Sequence, residues 1–235
     1  MHAVTQPLAL PARPLLRINV KAGDVIVRCE KRSDILVERG VHKTSDAALT
    51  DQDVTLKVRA STVEVRCPMG TNLNIGSIAG KVVVSGDAGD VRVATASGNI
   101  SVERAKRVDL RSISGRLEVG GCGDCRLATK SGRVAIGSAR SVDVATVSGR
   151  VALRRAAGAV KVKSVSGVVE VGGAGAEDIQ VHTLSGSVTV RLPAGTRPEL
   201  RLRSLTSRAT NPFTAGEDCS VAVSTLSGKV ELVAD

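Results

Sequence analysis

The chain has 235 residues, with 33 Lys and Arg against 23 Asp and Glu, a formal charge of +10. It contains no Trp, no Tyr and one Phe, Phe213, but 24 glycines. The interior must therefore be aliphatic, as suits a narrow, repetitive core, and the stacking platform of single-strand nucleic-acid binders is excluded.

Residues 1–14 form a Pro-containing tail. It lacks a basic start followed by an apolar run, so no signal peptide is expected. No stretch approaches the roughly 18 apolar residues of a membrane span. The five cysteines are an odd number without a small-scaffold framework, and a reduced, cytoplasmic location is expected. Between 15 and 75, alternating runs at 16–20, 24–29, 34–38, 54–58 and 62–67 read as strands, loosely spaced. Residues 40–53 read as polar turn, or a short helix at most. The whole segment is expected to be an irregular N-terminal β cap, because solenoids need atypical end rungs.

From residue 76 a repeat takes over. Ser-Gly recurs at 97–98, 114–115, 131–132, 148–149, 166–167, 185–186 and 227–228, after a variant turn, Ser77-Ile-Ala-Gly80. The glycine spacings from Gly80 are 18, 17, 17, 17, 18, 19 and then 42. Aliphatics stand two and four residues after each glycine, as in Val134/Ile136 and Val151/Leu153. A second alternating pair precedes the next turn, as in Val142/Val144 and Val160/Val162, followed by an inward hydroxyl such as Thr146 or Ser164. Period-two alternation puts one face in and one out. The expected fold is all-β: a single-stranded β-solenoid, a right-handed parallel β-helix with about 17–18 residues per rung over 76–235.

Between the second-pair aliphatics the outward residues read Arg92, Asp109, Arg126, Asp143 and Lys161, alternating in sign. Stacked about 4.8 Å apart, they would form a register ladder. The 42-residue interval holds two rungs, one damaged: Arg208 replaces the turn glycine, and Thr210 and Pro212 occupy the strand positions. Proline cannot donate to a ladder. An excursion over about 208–219 is expected, with Phe213 as an end cap.

The run Val63-Glu-Val-Arg-Cys-Pro-Met-Gly-Thr-Asn-Leu-Asn-Ile-Gly-Ser-Ile-Ala-Gly-Lys-Val-Val-Val, followed by Ser-Gly rungs, resembles a bacterial family of β-strand-repeat domains of unknown function that carries the label adhesin. Val20-Lys-Ala-Gly-Asp-Val-Ile-Val and Val190-Arg-Leu-Pro-Ala-Gly-Thr are similar to it as well. The resemblance runs from about residue 15 to the end. It implies the fold, and a surface-binding role only by label. Coil length is also similar to that of bactofilins, cytoskeletal β-helices that polymerise end to end.

Few residues suggest chemistry. Cys122-Gly-Asp-Cys125 has the spacing of a redox pair or half a metal site. Cys125, however, falls on the core position of Val108 and Val142, and Cys122 on that of Ala105 and Ala139, so both read as core. Cys29 and Cys67 continue apolar alternations and read the same way. No catalytic constellation, cofactor or metal site is expected. Arg116, Arg133 and Arg150 each follow a turn glycine and would stack into an anion-binding stripe. No recognition helix supports specific nucleic-acid readout. Two functions remain: a structural, scaffold or protein-interaction module, self-assembling through an open C-terminal rung, or a module binding an anionic polymer or surface through the stripe. Salt-sensitive binding would favour the second.

Overall fold

The computed structural model describes residues 15–39, 46–49, 53–60, 62–173, 175–205 and 209–235. The 1–14 tail and the damaged turn at 206–208 lie outside the described residues. All described elements are strands, and no helix is long and apolar enough to cross a membrane. The chain divides into two compact units, 1–121 and 122–235.

The first unit carries β1 (Leu15–Ala22), β2 (Val25–Glu30), β3 (Leu36–Arg39), β4 (Asp46–Leu49), β5 (Asp53–Ala60), β6 (Val63–Pro68), β7 (Asn72–Ala79), β8 (Val82–Ser97) and the start of β9 (Ile100–Ala156). Its rungs are parallel and in register. Leu73 and Ile75 stand against Val91 and Val93, and Val82 and Val84 against Ile100 and Val102. These side chains are essentially fully buried. Each such burial contributes roughly 1.5–3 kcal/mol, which only stacking on both sides makes available.

The first surprise is the order of the rungs. β1 pairs with β5 on one side and β7 on the other, and β2 likewise with β6 and β8. The rung 15–30 is therefore inserted between rungs 53–68 and 72–86. Residues 15–75 do not simply cap the stack: they supply two of its regular rungs. Within 40–53, residues 40–45 and 50–52 lie outside the described residues; the expectation of turn or helix is corrected at 46–49, where β4 runs antiparallel to β5, with Leu49 against Val54 and Ala47 against Leu56. The alternation in Asp46-Ala-Ala-Leu is too weak to mark a strand; its partner β5 makes it one.

The second unit continues β9 and adds β10 (Ala159–Gly172), β11 (Asp178–Leu192), β12 (Glu199–Ser204), β13 (Ala209–Thr210), β14 (Ser220–Ser227) and β15 (Val230–Ala234). Val144, Val162, Val181 and Val223 form one inward ladder, with Leu202 beyond Val223. The first four are buried, whereas Leu202 is half-buried. Here too the last rung is inserted. β14 lies between β11 and β12, and β15 between β11 and β13. A Cβ on Gly228 would strike the carbonyl oxygen of Gly186, so these glycines sit directly on one another although they lie 42 positions apart in the chain. The C-terminal rung is thus interior, which corrects the expectation that it forms the open end. That end is the rung of β12 and β13.

Beyond Thr210, residues 211–219 carry no strand. Phe213 is half-buried and does not enter the core; its N–H donates to Asn211 Oδ1 at 2.9 Å in a local turn.

Candidate interaction surface

Each rung bends at its Ser-Gly. The hydroxyl before the bend is buried and donates to the carbonyl two residues on, as Thr146 Oγ1 does to Ser148 at 3.1 Å and Thr183 to Ser185 at 3.1 Å. Gly149 then adopts φ +130°, and a Cβ there would collide with the Gly132 carbonyl, so only glycine closes the bend. The residue between hydroxyl and Ser-Gly is pinned outward.

In the second unit that outward position holds Val147, Val165, Leu184, Leu226 and Leu205. Strand register places them side by side on five adjacent rungs. The first four are 45–52 % exposed and Leu205 is 78 % exposed. At about 4.8 Å per rung the row is roughly 19 Å long. Ile78 and Ile113 hold the same repeat position in the first unit and are equally exposed. Exposed apolar side chains set in one row make this a candidate contact site. Sequence reasoning passed over it, although the signal is present as Thr/Ser-aliphatic-Ser-Gly in Ser112-Ile-Ser-Gly, Thr146-Val-Ser-Gly, Ser164-Val-Ser-Gly, Thr183-Leu-Ser-Gly and Thr225-Leu-Ser-Gly.

The row is flanked by positive charge. Two residues before the apolar position stand Lys163 and Arg203; the same position on the rung of Leu184 holds His182, its Nδ1 2.6 Å from Ser224 Oγ. Three residues after it stands Arg150. Lys163, Arg150 and Arg203 are exposed and make no ion pair among the described residues.

The expected arginine stripe is only partly assembled. Arg116, in the first unit, reaches Glu118 at 3.7 Å, and its backbone N–H donates to Asn99 Oδ1 at 3.1 Å. In the second unit Arg133 and Arg150 share a position on adjacent rungs, because Gly149 stacks on Gly132. Beyond Arg150 the position becomes Val168.

Within each unit, members of the expected register ladder stand opposite one another. Arg92 stands opposite Asp109, Asp143 opposite Lys161, and Arg126 Nε lies 3.6 Å from Asp143. Asp109 also approaches Arg111, at 3.4 Å. Rung-to-rung pairs at other positions went unnoticed in the sequence: Arg140 on Asp124 at 2.9 Å, and Arg104 on Asp87, whose carboxyl is held below its ordinary range by the guanidinium hydrogen bond. Asn74, Arg92, Val93, Ala94, Asp109 and Arg111 line a shallow groove of about 450 Å³ with mixed charge.

Cys29, Cys67, Cys125 and Cys219 are buried, whereas Cys122 is half-buried, which corrects its reading as core; one pairing was not disclosed by the sequence. Cys29 and Cys67 are opposed on β2 and β6, buried, with their Sγ atoms 3.6 Å apart. The hydrogen bond to Cys67, then burial, pushes the Cys29 thiol up; the same hydrogen bond lowers Cys67. Cys125 is buried on a core position and pushed up by its bond to Cys122 and by desolvation. Among the described residues no group of three or more His, Cys, Asp and Glu side chains converges as a metal site would.

Parallel rungs and Ser-Gly bends agree with one further observation: the family model for Toastrack DUF4097 matches residues 15–231. The chain belongs to the Toastrack DUF4097 family. No curated protein and no solved structure matches it. Toastrack membership establishes the β-repeat fold and leaves the role to be argued from the surface.

Proposed function

We propose that this Toastrack domain is a non-enzymatic protein-interaction module, a stiff stack of rungs that presents a line of apolar side chains to a partner. The observation that carries this reading is the exposed row Val147, Val165, Leu184, Leu226 and Leu205 in strand register. Ladder hydrogen bonds and buried hydroxyls hold its spacing, so little ordering entropy opposes binding. The flanking Lys163, Arg150 and Arg203 favour a partner with apolar side chains set between acidic ones.

The test is a double variant, Val165→Ser with Leu184→Ser. Both sites are outward, so folding should be little changed. A partner that co-purifies with the native chain, identified by mass spectrometry, should be lost from the variant at unchanged melting temperature. The same partners on both would defeat the reading. Binding of an anionic polymer through Arg116, Arg133 and Arg150 is less supported, since Arg116 already engages Glu118 and the line stops at Val168.

A further inference from the structure

β5 carries β4 antiparallel along its outer edge. β12 pairs only with β14 among the described strands; the Gly216 N–H donates to the Pro198 carbonyl at 3.3 Å just before β12 begins, and past that point no described strand lies on its other edge. We propose that this edge is a self-recognition site, where β12 of one copy pairs antiparallel with β12 of a second about a twofold axis through Arg201.

Backbone direction decides which groups are on offer. The Glu199 N–H donates to the Cys219 carbonyl at 2.8 Å, so Glu199 faces β14. In a parallel ladder alternate residues face opposite neighbours. Glu199, Arg201 and Arg203 therefore bond inward, and Leu200 and Leu202 present their N–H and C=O groups on the open edge. A twofold pairing centred on Arg201 sets Leu200 against Leu202 of the second copy, and Leu202 against its Leu200. Both pairs exchange two hydrogen bonds, with Arg201 at a non-bonded position between them.

Charge selects the same register. Centred on Arg201, Glu199 of each copy falls opposite Arg203 of the other. Centring on Leu200 instead would set Leu202 against Pro198, which has no N–H to give. Centring on Leu202 would set Arg201 against Arg203, like charges side by side. Within one chain Glu199 already holds Arg201, at 2.7 Å, which offsets the meeting of the two Arg201 side chains on the axis.

The inward face agrees as well. Leu200 and Leu202 are half-buried, whereas Val221 and Val223 on the adjoining rung are 0–1 % exposed. Pairing the edges brings the four leucines together and continues the core across the axis. An open strand edge is the feature that β proteins otherwise shield, and a self-complementary strand closes it by an isologous contact.

Sedimentation equilibrium of the full chain over a wide concentration range should show a reversible monomer–dimer equilibrium. Arg203→Glu sets two carboxylates in each charge pair and should shift the protein to monomer, with its melting temperature little changed in dilute solution. The double variant Glu199→Arg with Arg203→Glu restores opposite charges and should recover the dimer. Val165→Ser with Leu184→Ser should leave the equilibrium untouched, which separates this site from the apolar row. A native chain monomeric at every concentration, a dimer indifferent to Arg203→Glu, a double variant that stays monomeric, or a dimer lost with the row variant would each overturn the proposal.

Discussion

The first and last stretches of the chain solve one problem with one piece of sequence. Pro68-Met-Gly-Thr71 begins on the last residue of β6, and Pro193-Ala-Gly-Thr196 follows β11. In both, the threonine N–H and hydroxyl return to the proline carbonyl: 3.3 and 2.6 Å at Thr71, 3.2 and 2.7 Å at Thr196. In both, glycine holds positive φ, +78° at Gly70 and +85° at Gly195, as the third residue of a type II turn requires. The N–H after the proline donates to the end of an inserted rung, Met69 to Glu30 and Ala194 to Asp235, each at 3.0 Å. Each turn therefore steps over one rung. The two regions differ in surroundings: Thr71 is fully buried, Thr196 is half-buried, and among the described strands antiparallel partners occur only in the first region. The motif encodes the step, and what packs around it decides how much stability rests on it.

The largest test of this comparison is on the inserted rung itself. Val223→Asp should cost about 3–5 kcal/mol or prevent folding, because a charge would enter a site closed by Val181 and Leu202. Leu202→Asp, on the outermost rung, should cost only about 1–2 kcal/mol. Equal losses in urea melts would return the C-terminal rung to the outside. Next in size, Thr71→Val should cost about 1–2 kcal/mol through loss of a buried hydrogen bond, and Thr196→Val roughly half a kcal/mol. If the two match, burial does not distinguish the turns.

Gly70→Ala and Gly195→Ala should behave alike. A Cβ meets nothing within 4 Å at either site, so the cost is that of positive φ alone, about 1–2 kcal/mol. A much larger effect at one of them would break the equivalence. The smallest effect concerns acid. The hydrogen bond from Arg32, just after β2, holds the Asp34 carboxyl below its ordinary range. Its contribution is present above the unfolded carboxylate pKa and is lost as pH falls through the lowered folded value. Asp34→Asn should flatten the acid limb of a melting-temperature profile slightly, an effect that salt removes; an unchanged limb would show that the pair is spent in solvent.

The rungs were legible because their signals are local. Gly149 is required by its own φ and its neighbour's carbonyl, and Val144 faces inward by alternation alone. Order was not legible, because every parallel rung offers the same register: Val221 can lie on Ile179 or Leu200 with equal fit. The repeated Pro-x-Gly-Thr held the missing information, but its meaning depends on which rung fills the gap. β4 was illegible for the opposite reason, since its four residues have little pattern without β5. On the surface, the Arg92–Asp109 opposition follows from rung length, whereas the apolar row escaped because attention to turn glycines hides the residue two places before them.

Insertion of the last rung also bears on how the molecule assembles. During synthesis β12 emerges before β14, at a time when β11 is bare and offers the register that β14 will later occupy. Leu200 and Leu202 could then settle on Ile179 and Val181, a premature pairing that must separate before β14 enters. Such a detour would give a slow refolding phase of the kind met when near-native arrangements compete. A chain cut after residue 219 should trap β12 there, and addition of a peptide covering 220–235 would measure how fast the trap opens.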